Sequence, residues 1–110
     1  MELCILIPAK NEAKSLPSTI SHLCSTLDFF IFYNILVVND HSDDDSLLVL
    51  HELSKIYPNL QFSNSNFEGG VGNAIRFGLD RWKGDVLAIC MADGSECPFD
   101  ILTSYNIINS

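Results

Sequence analysis

The feature that most constrains how this chain can fold is an alternation: short runs of continuous apolar residues, each followed by a stretch with helical spacing. Leu3 to Ile7 is apolar at every position. A strand with one wet face would alternate apolar and polar residues, so this run fits a strand covered on both faces. The apolar positions that follow are Leu16, Ile20, Leu23, Cys24 and Leu27, at spacings of four, three, one and three, which is one face of a helix. Ser15 stands where an N-cap belongs, and Pro17 is tolerated in a first turn. Tyr33 to Asn39, rich in Ile, Leu and Val, predicts a second strand, followed by the polar cluster Asn39 to Asp45. A helix is expected next, with Val49, Leu50, Leu53, Ile56 and Tyr57 on one face and Pro58 helping to end it. Leu60 to Ser63 predicts a short strand. Gly69, Gly70 and Gly72 open a third helix with the stripe Val71, Ala74, Ile75, Gly78, Leu79 and Trp82, ended by Gly84. Asp85 to Met91 predicts a fourth strand, and a last helix is expected after Pro98. This βαβ alternation implies an α/β fold with a mostly parallel sheet.

With 110 residues, 47% of them apolar, the chain suffices for one small domain, and no repeat, low-complexity segment or linker divides it. The formal net charge of −8 argues against nucleic acid as a partner, because phosphate backbones are gripped by clustered Lys and Arg. A nucleotide stays open, since a bound metal offsets local carboxylates. The cysteines, Cys4, Cys24, Cys90 and Cys97, form no C-x-x-C pair and no zinc spacing. Three of them sit in apolar stretches and read as small hydrophobes, which points to a reducing, cytosolic compartment. Leu3 to Ile7 is too short for a signal core, and the apolar stretch Phe29 to Val38, interrupted by Asn34, falls well below the ~20 residues of a membrane span.

In an open parallel sheet, ligands bind beyond the carboxyl ends of the strands. Pro8-Ala9-Lys10-Asn11-Glu12 follows the first strand, Asn39-Asp40-His41-Ser42 the second, and Ala92-Asp93-Gly94-Ser95-Glu96 the fourth. Each of these ends carries a carboxylate. Asp43, Asp44 and Asp45 read as residues of a helix start, where negative charge is welcome, whereas Asp40 and Asp93, directly at strand ends, read as functional. Gly70-Val71-Gly72 matches a dinucleotide fingerprint only weakly, because it follows the third strand and Ile75 replaces the third glycine. Amides at such a helix start attract an anion, and Arg76, one turn in, is placed to add a positive charge or simply to face solvent.

Four segments taken together resemble the family 2 glycosyltransferases in order and spacing, and among these the dolichol- or polyprenyl-phosphate mannosyl- and glucosyltransferase type. They are Ile7-Pro8-Ala9-Lys10-Asn11-Glu12, Val37-Val38-Asn39-Asp40-His41-Ser42, Gly70-Val71-Gly72-Asn73-Ala74 and Met91-Ala92-Asp93-Gly94-Ser95. The resemblance implies a three-layer GT-A fold and a nucleoside diphosphate sugar donor, with UDP- and GDP-sugars both open. It implies that Pro8, Lys10 and Glu12 touch the nucleotide and that Asp40 reads the base with Val38 beside it; Gly70, Gly72 and Arg76, at the helix start that attracts an anion, are the further candidate donor contacts. The family's D-x-D motif, which binds ribose and a divalent metal on the diphosphate, corresponds to Met91-Ala92-Asp93. That makes Ala92 donor-binding and Asp93 the ligand for Mg²⁺ or Mn²⁺.

Two positions depart from the family pattern. The usual Asp-Asp pair after the second strand is Asn39-Asp40, and the first acid of D-x-D is Met91, which neither accepts a ribose hydroxyl nor binds a hard cation. Asp93 alone remains compatible with Mg²⁺, which often uses one or two carboxylates plus substrate phosphates. The resemblance further implies inverting sugar transfer to an acceptor such as a polyprenyl phosphate, at the cytoplasmic face of a membrane although no membrane segment is expected here. In the family the general base and acceptor site follow D-x-D, where about seventeen residues remain, so no base is assigned and the chain is expected to be the N-terminal portion of such an enzyme. The fourth strand, at a sheet edge in the family's order, is then expected to promote self-association. The alternative is a non-catalytic nucleotide-binding or partner module completed by another chain. A response-regulator-like receiver is disfavoured, since Ser63-Asn64-Ser65-Asn66 offers no phosphoacceptor aspartate.

Overall fold

A computed structural model describes residues 2–28 and 32–93. The elements are β1 (Glu2–Ala9), α1 (Leu16–Leu27), β2 (Phe32–Asn39), α2 (Ser46–Ile56), β3 (Leu60–Asn64), α3 (Val71–Leu79) and β4 (Val86–Ile89). The strands form one sheet in the order β3-β2-β1-β4, and all three pairings are parallel. β1 is paired with β2 along its whole length, from Glu2 with Phe32 to Ala9 with Asn39. Asn39 in turn is level with Asn64 of β3. The carboxyl ends of β1, β2 and β3 therefore finish at one rim of the sheet.

β1 reads as a continuous apolar run because both its faces are covered. Leu3, Ile5 and Ile7 belong to a core shared with Leu16, Ile20 and Leu23 of α1 and Leu50 and Leu53 of α2. Cys4 and Leu6 face the other way, into a smaller core with Leu36, Val38, Ala74 and Phe77. The result is three layers, with α1 and α2 on one face of the sheet and α3 on the other. Each fully buried Leu or Ile contributes roughly 1.5–3 kcal/mol. Gly78 is where α3 comes closest to the sheet: a Cβ there would overlap the Leu6 side chain.

Several sequence expectations need correction. Ser15 occupies the N-cap of α1 but makes no side-chain cap bond, because its backbone is already helical (φ −88°, ψ −32°). Instead the Ser15 and Leu16 amides donate to Glu12 O at 3.1 and 3.0 Å. Ile56 is 65% exposed rather than core. With Tyr57, Tyr33 and Cys24 it lines a cavity of about 330 Å³ between the ends of α1 and α2. α3 stops at Leu79, before Gly84, and its buried residues are Ala74, Phe77 and Gly78. Val71 and Leu79, assigned to the buried stripe, are exposed. Gly84 serves the turn into β4, with φ +147° and room only for a hydrogen beside Glu2 O. β4 is four residues long, shorter than Asp85 to Met91. The helix expected after Pro98, and Gly94, Ser95, Glu96 and Cys97, lie outside the described residues. Cys4, Cys24 and Cys90 are buried, and burial raises the thiol pKa of Cys4 and Cys24, which keeps both protonated. Among the described residues no helix is long and apolar enough to cross a membrane.

Candidate functional site

At the carboxyl rim of the strands lies a cleft of about 160 Å³. Pro8, Ala9, Lys10 and Glu12 line it from the β1 end, and Asp40 from the β2 end. Met91, Ala92 and Asp93 line it from beyond β4, and Val71 from the first turn of α3. Three strand ends that are far apart in sequence thus converge, as parallel pairing dictates.

The loop after β1 is latched to the loop after β2. Asn11 takes a left-handed backbone (φ 56°), which Asn tolerates better than most residues. From there its Oδ1 accepts the amides of Asp43 (2.7 Å) and Asp44 (3.3 Å), and its own amide donates to Ser42 Oγ (3.0 Å). The Glu12 amide donates to Ser46 Oγ (2.9 Å), and the Ala13 amide to Asp44 Oδ2 (3.2 Å). Asp44 Oδ1 accepts the Ser46 amide at 2.9 Å. Hydrogen bonding to Ser46, reinforced by the Ala13 amide, holds the Asp44 carboxyl below its ordinary range. Asp44 thus serves the helix start, while Lys10 and Glu12 on the latched loop face the cleft.

Asp40 is only 3% exposed. Its amide donates to Ala9 O (2.8 Å), and its Oδ2 accepts the Gly70 amide (3.1 Å). Asp40 Oδ1 is buried and has no hydrogen-bond partner among the described residues. Gly70 holds φ +126°, a conformation that L side chains rarely adopt, so the amide reaches Asp40 only because residue 70 is glycine. His41, also left-handed (φ 56°), brings Nε2 within 2.7 Å of Phe67 O and ties down the same loop. Asn39 Nδ2 donates to Asn64 Oδ1 (2.9 Å), joining the ends of β2 and β3. On the β4 side, Thr19 Oγ1 of α1 donates to Ala92 O at 3.0 Å.

Of the residues singled out from the sequence, Pro8, Lys10, Glu12, Asp40, Ala92 and Asp93 meet in the cleft, and Gly70 joins them through Asp40. Val38, Gly72 and Arg76 are not among the lining residues: Val38 is fully buried under α3, and Gly72 and Arg76 are exposed on α3. Val71 also lines the cleft, although an apolar residue opening an amphipathic helix reads as core in the sequence. Three carboxylates, Glu12, Asp40 and Asp93, face one cation, Lys10, across the cleft. An anionic ligand would therefore need a cation with it. No group of three or more metal-ligating side chains occurs among the described residues, so Asp93 suits a divalent ion only when a ligand completes the shell.

Known proteins share the sequence pattern and the fold of this chain. The model of the family described as "Glycosyl transferase family 2" matches residues 4–100. A dolichyl-phosphate beta-glucosyltransferase of Trichomonas vaginalis is 31% identical over 99 residues, covering 84% of this chain and 31% of that protein. The dolichol-phosphate mannosyltransferase of Pyrococcus furiosus is 31% identical over 93 residues, covering 84% of this chain and 26% of that protein. The chain thus spans less than a third of the length of these relatives. In fold, the chain superposes on Staphylococcus aureus TarS solved with UDP-GlcNAc, with a TM-score of 0.79 at 18% identity over 99% of this chain and 31% of that one. The mannosyltransferase of Pyrobaculum calidifontis, solved with GDP-Man and Mn²⁺, gives a TM-score of 0.73 at 19% identity over 83% of this chain and 27% of that one. The three-layer GT-A architecture and the family match over nearly the whole chain lead to one conclusion: this chain belongs to glycosyl transferase family 2.

Proposed function

We propose that the cleft binds the nucleoside diphosphate part of a UDP- or GDP-sugar, and that the chain is the donor-binding portion of an inverting glycosyltransferase. The observation that carries this reading is Asp40. A buried acceptor without a partner costs about 1–3 kcal/mol, and here it belongs to a residue that lines a cleft open to ligand. Uracil and guanine both present an N–H that would satisfy Oδ1. Lys10 would meet the phosphates, and Val71 and Met91 give the base or ribose apolar contact. Asp93, together with the donor's own phosphates, would hold Mg²⁺ or Mn²⁺, which when bound supplies Lewis-acid stabilisation of charge on the leaving diphosphate. A polyprenyl phosphate is the candidate class of acceptor.

A second reading is favoured by one feature, Met91. A cleft with a thioether where the family places an acid suits a module that binds nucleotide without transferring sugar. Calorimetric titration with UDP and GDP, with and without Mn²⁺, tests both readings. Metal-dependent binding that Asp93→Ala abolishes supports the donor site, whereas failure to bind either nucleotide would sink both. Sugar release from the bound donor then separates transferase from module.

A further inference from the structure

We propose that Thr19, on α1, is a positioning residue that fixes the Ala92–Asp93 side of the cleft. The proposal rests on the donor-site reading above. β4 is a four-residue edge strand, paired with β1 alone among the described residues. The Cys90 amide donates to Leu6 O at 3.0 Å, and the chain then leaves the strand as Met91–Asp93. A turn carried by so short an edge strand needs an anchor elsewhere. Thr19 Oγ1 donates to Ala92 O across 73 residues of sequence. The carbonyl belongs to a residue only 3% exposed, so water is a poor substitute for that donor.

Three serine hydroxyls on α1 and α2 behave differently. Ser18, Ser25 and Ser54 each donate back to the carbonyl three residues earlier on their own helix. That local bond is the common fate of a helical hydroxyl. Thr19 instead reaches off its helix to the strand end that carries Asp93. It does so from a fixed base, since its neighbours Leu16 and Ile20 are fully buried in the main core. The hydroxyl thereby references the Asp93 turn to the helix–sheet core rather than to an edge strand.

Thr19→Val removes the hydroxyl and keeps the shape, and Thr19→Ser keeps the hydroxyl. In the ligand-free chain, ¹⁵N relaxation should show Ala92 and Asp93 more mobile in T19V than in the parent or T19S, with Lys10 and Val71 unchanged. In calorimetry, T19V should weaken the Mn²⁺-dependent part of UDP or GDP binding about five- to tenfold and leave metal-free binding intact, while T19S stays within about twofold of the parent. Equal mobility in all three proteins would overturn the proposal. So would a T19S as impaired as T19V, or metal-free binding that falls in step with the metal-dependent part. If the parent chain binds no nucleotide, the donor-site reading fails, and the relaxation comparison alone decides whether Thr19 holds the turn.

Discussion

The two oxygens of Asp40 meet different surroundings. Oδ2 accepts the Gly70 amide, while Oδ1 is buried without a partner among the described residues. In Asp40→Asn the Gly70 amide keeps the carbonyl oxygen, so the side-chain NH₂ takes the place of Oδ1. A donor would then face the N–H of an incoming base. Nucleotide affinity should fall at least about tenfold, since a donor set against a donor leaves both unmade. Folding should change by no more than about 1 kcal/mol, because the substituted side chain has the same shape and keeps the bond to the Gly70 amide. Titration and thermal melting of the same sample check both halves, and a large loss of stability with unchanged affinity would make Asp40 structural.

At the scale of elements, the cleft depends on the latch between the loops after β1 and β2. Asn11 has two roles there, tolerating φ 56° and accepting two amides. Asn11→Gly keeps the first role and loses the second, at about 1–2 kcal/mol. Asn11→Ala loses both, since a left-handed backbone costs about 1 kcal/mol more with a Cβ. Chemical denaturation should therefore order the three proteins Asn, Gly, Ala from most to least stable, and Ala at or above Gly would contradict the latch. The four strands and three helices were legible from apolar patterning, and the carboxylates at the strand ends from where those strands stop. The latch was not, because nothing in the spacing of Asn11 and Asp43 says that their loops touch until parallel register brings Ala9 level with Asn39. The buried face of α1 was legible residue by residue, whereas that of α3 was legible only to within part of a turn. The spacing puts Val71 inward and leaves Phe77 outside the stripe, whereas Phe77 is buried and Val71 exposed, because burial depends on where α3 crosses β1 and β2. The bond from Thr19 to Ala92 O had no signal at all, since a threonine on an amphipathic helix is unremarkable in sequence.

For the whole molecule, the order β3-β2-β1-β4 puts the two eight-residue strands, β1 and β2, in the middle and the short β4 at one edge. Ile89, at the end of β4, is 41% exposed, and Met91, just beyond the strand, is 39% exposed. An exposed apolar edge pairs readily with other strands. The chain should therefore associate with rising concentration in sedimentation velocity, and Ile89→Lys should shift it toward monomer. A monomer at every concentration would remove the edge as a contact. The same topology gathers Lys10, Asp40 and Asp93 at the carboxyl rim and leaves Tyr33 and Tyr57 at the cavity between the ends of α1 and α2. The central claim, that this rim holds a nucleoside diphosphate, is tested most directly by following backbone amide shifts while UDP or GDP is added with Mg²⁺. Saturable shifts at Ala9, Lys10, Asp40, Val71, Ala92 and Asp93 are the predicted result. Shifts confined to Tyr33, Tyr57 and Asn59, or none that saturate, would contradict it.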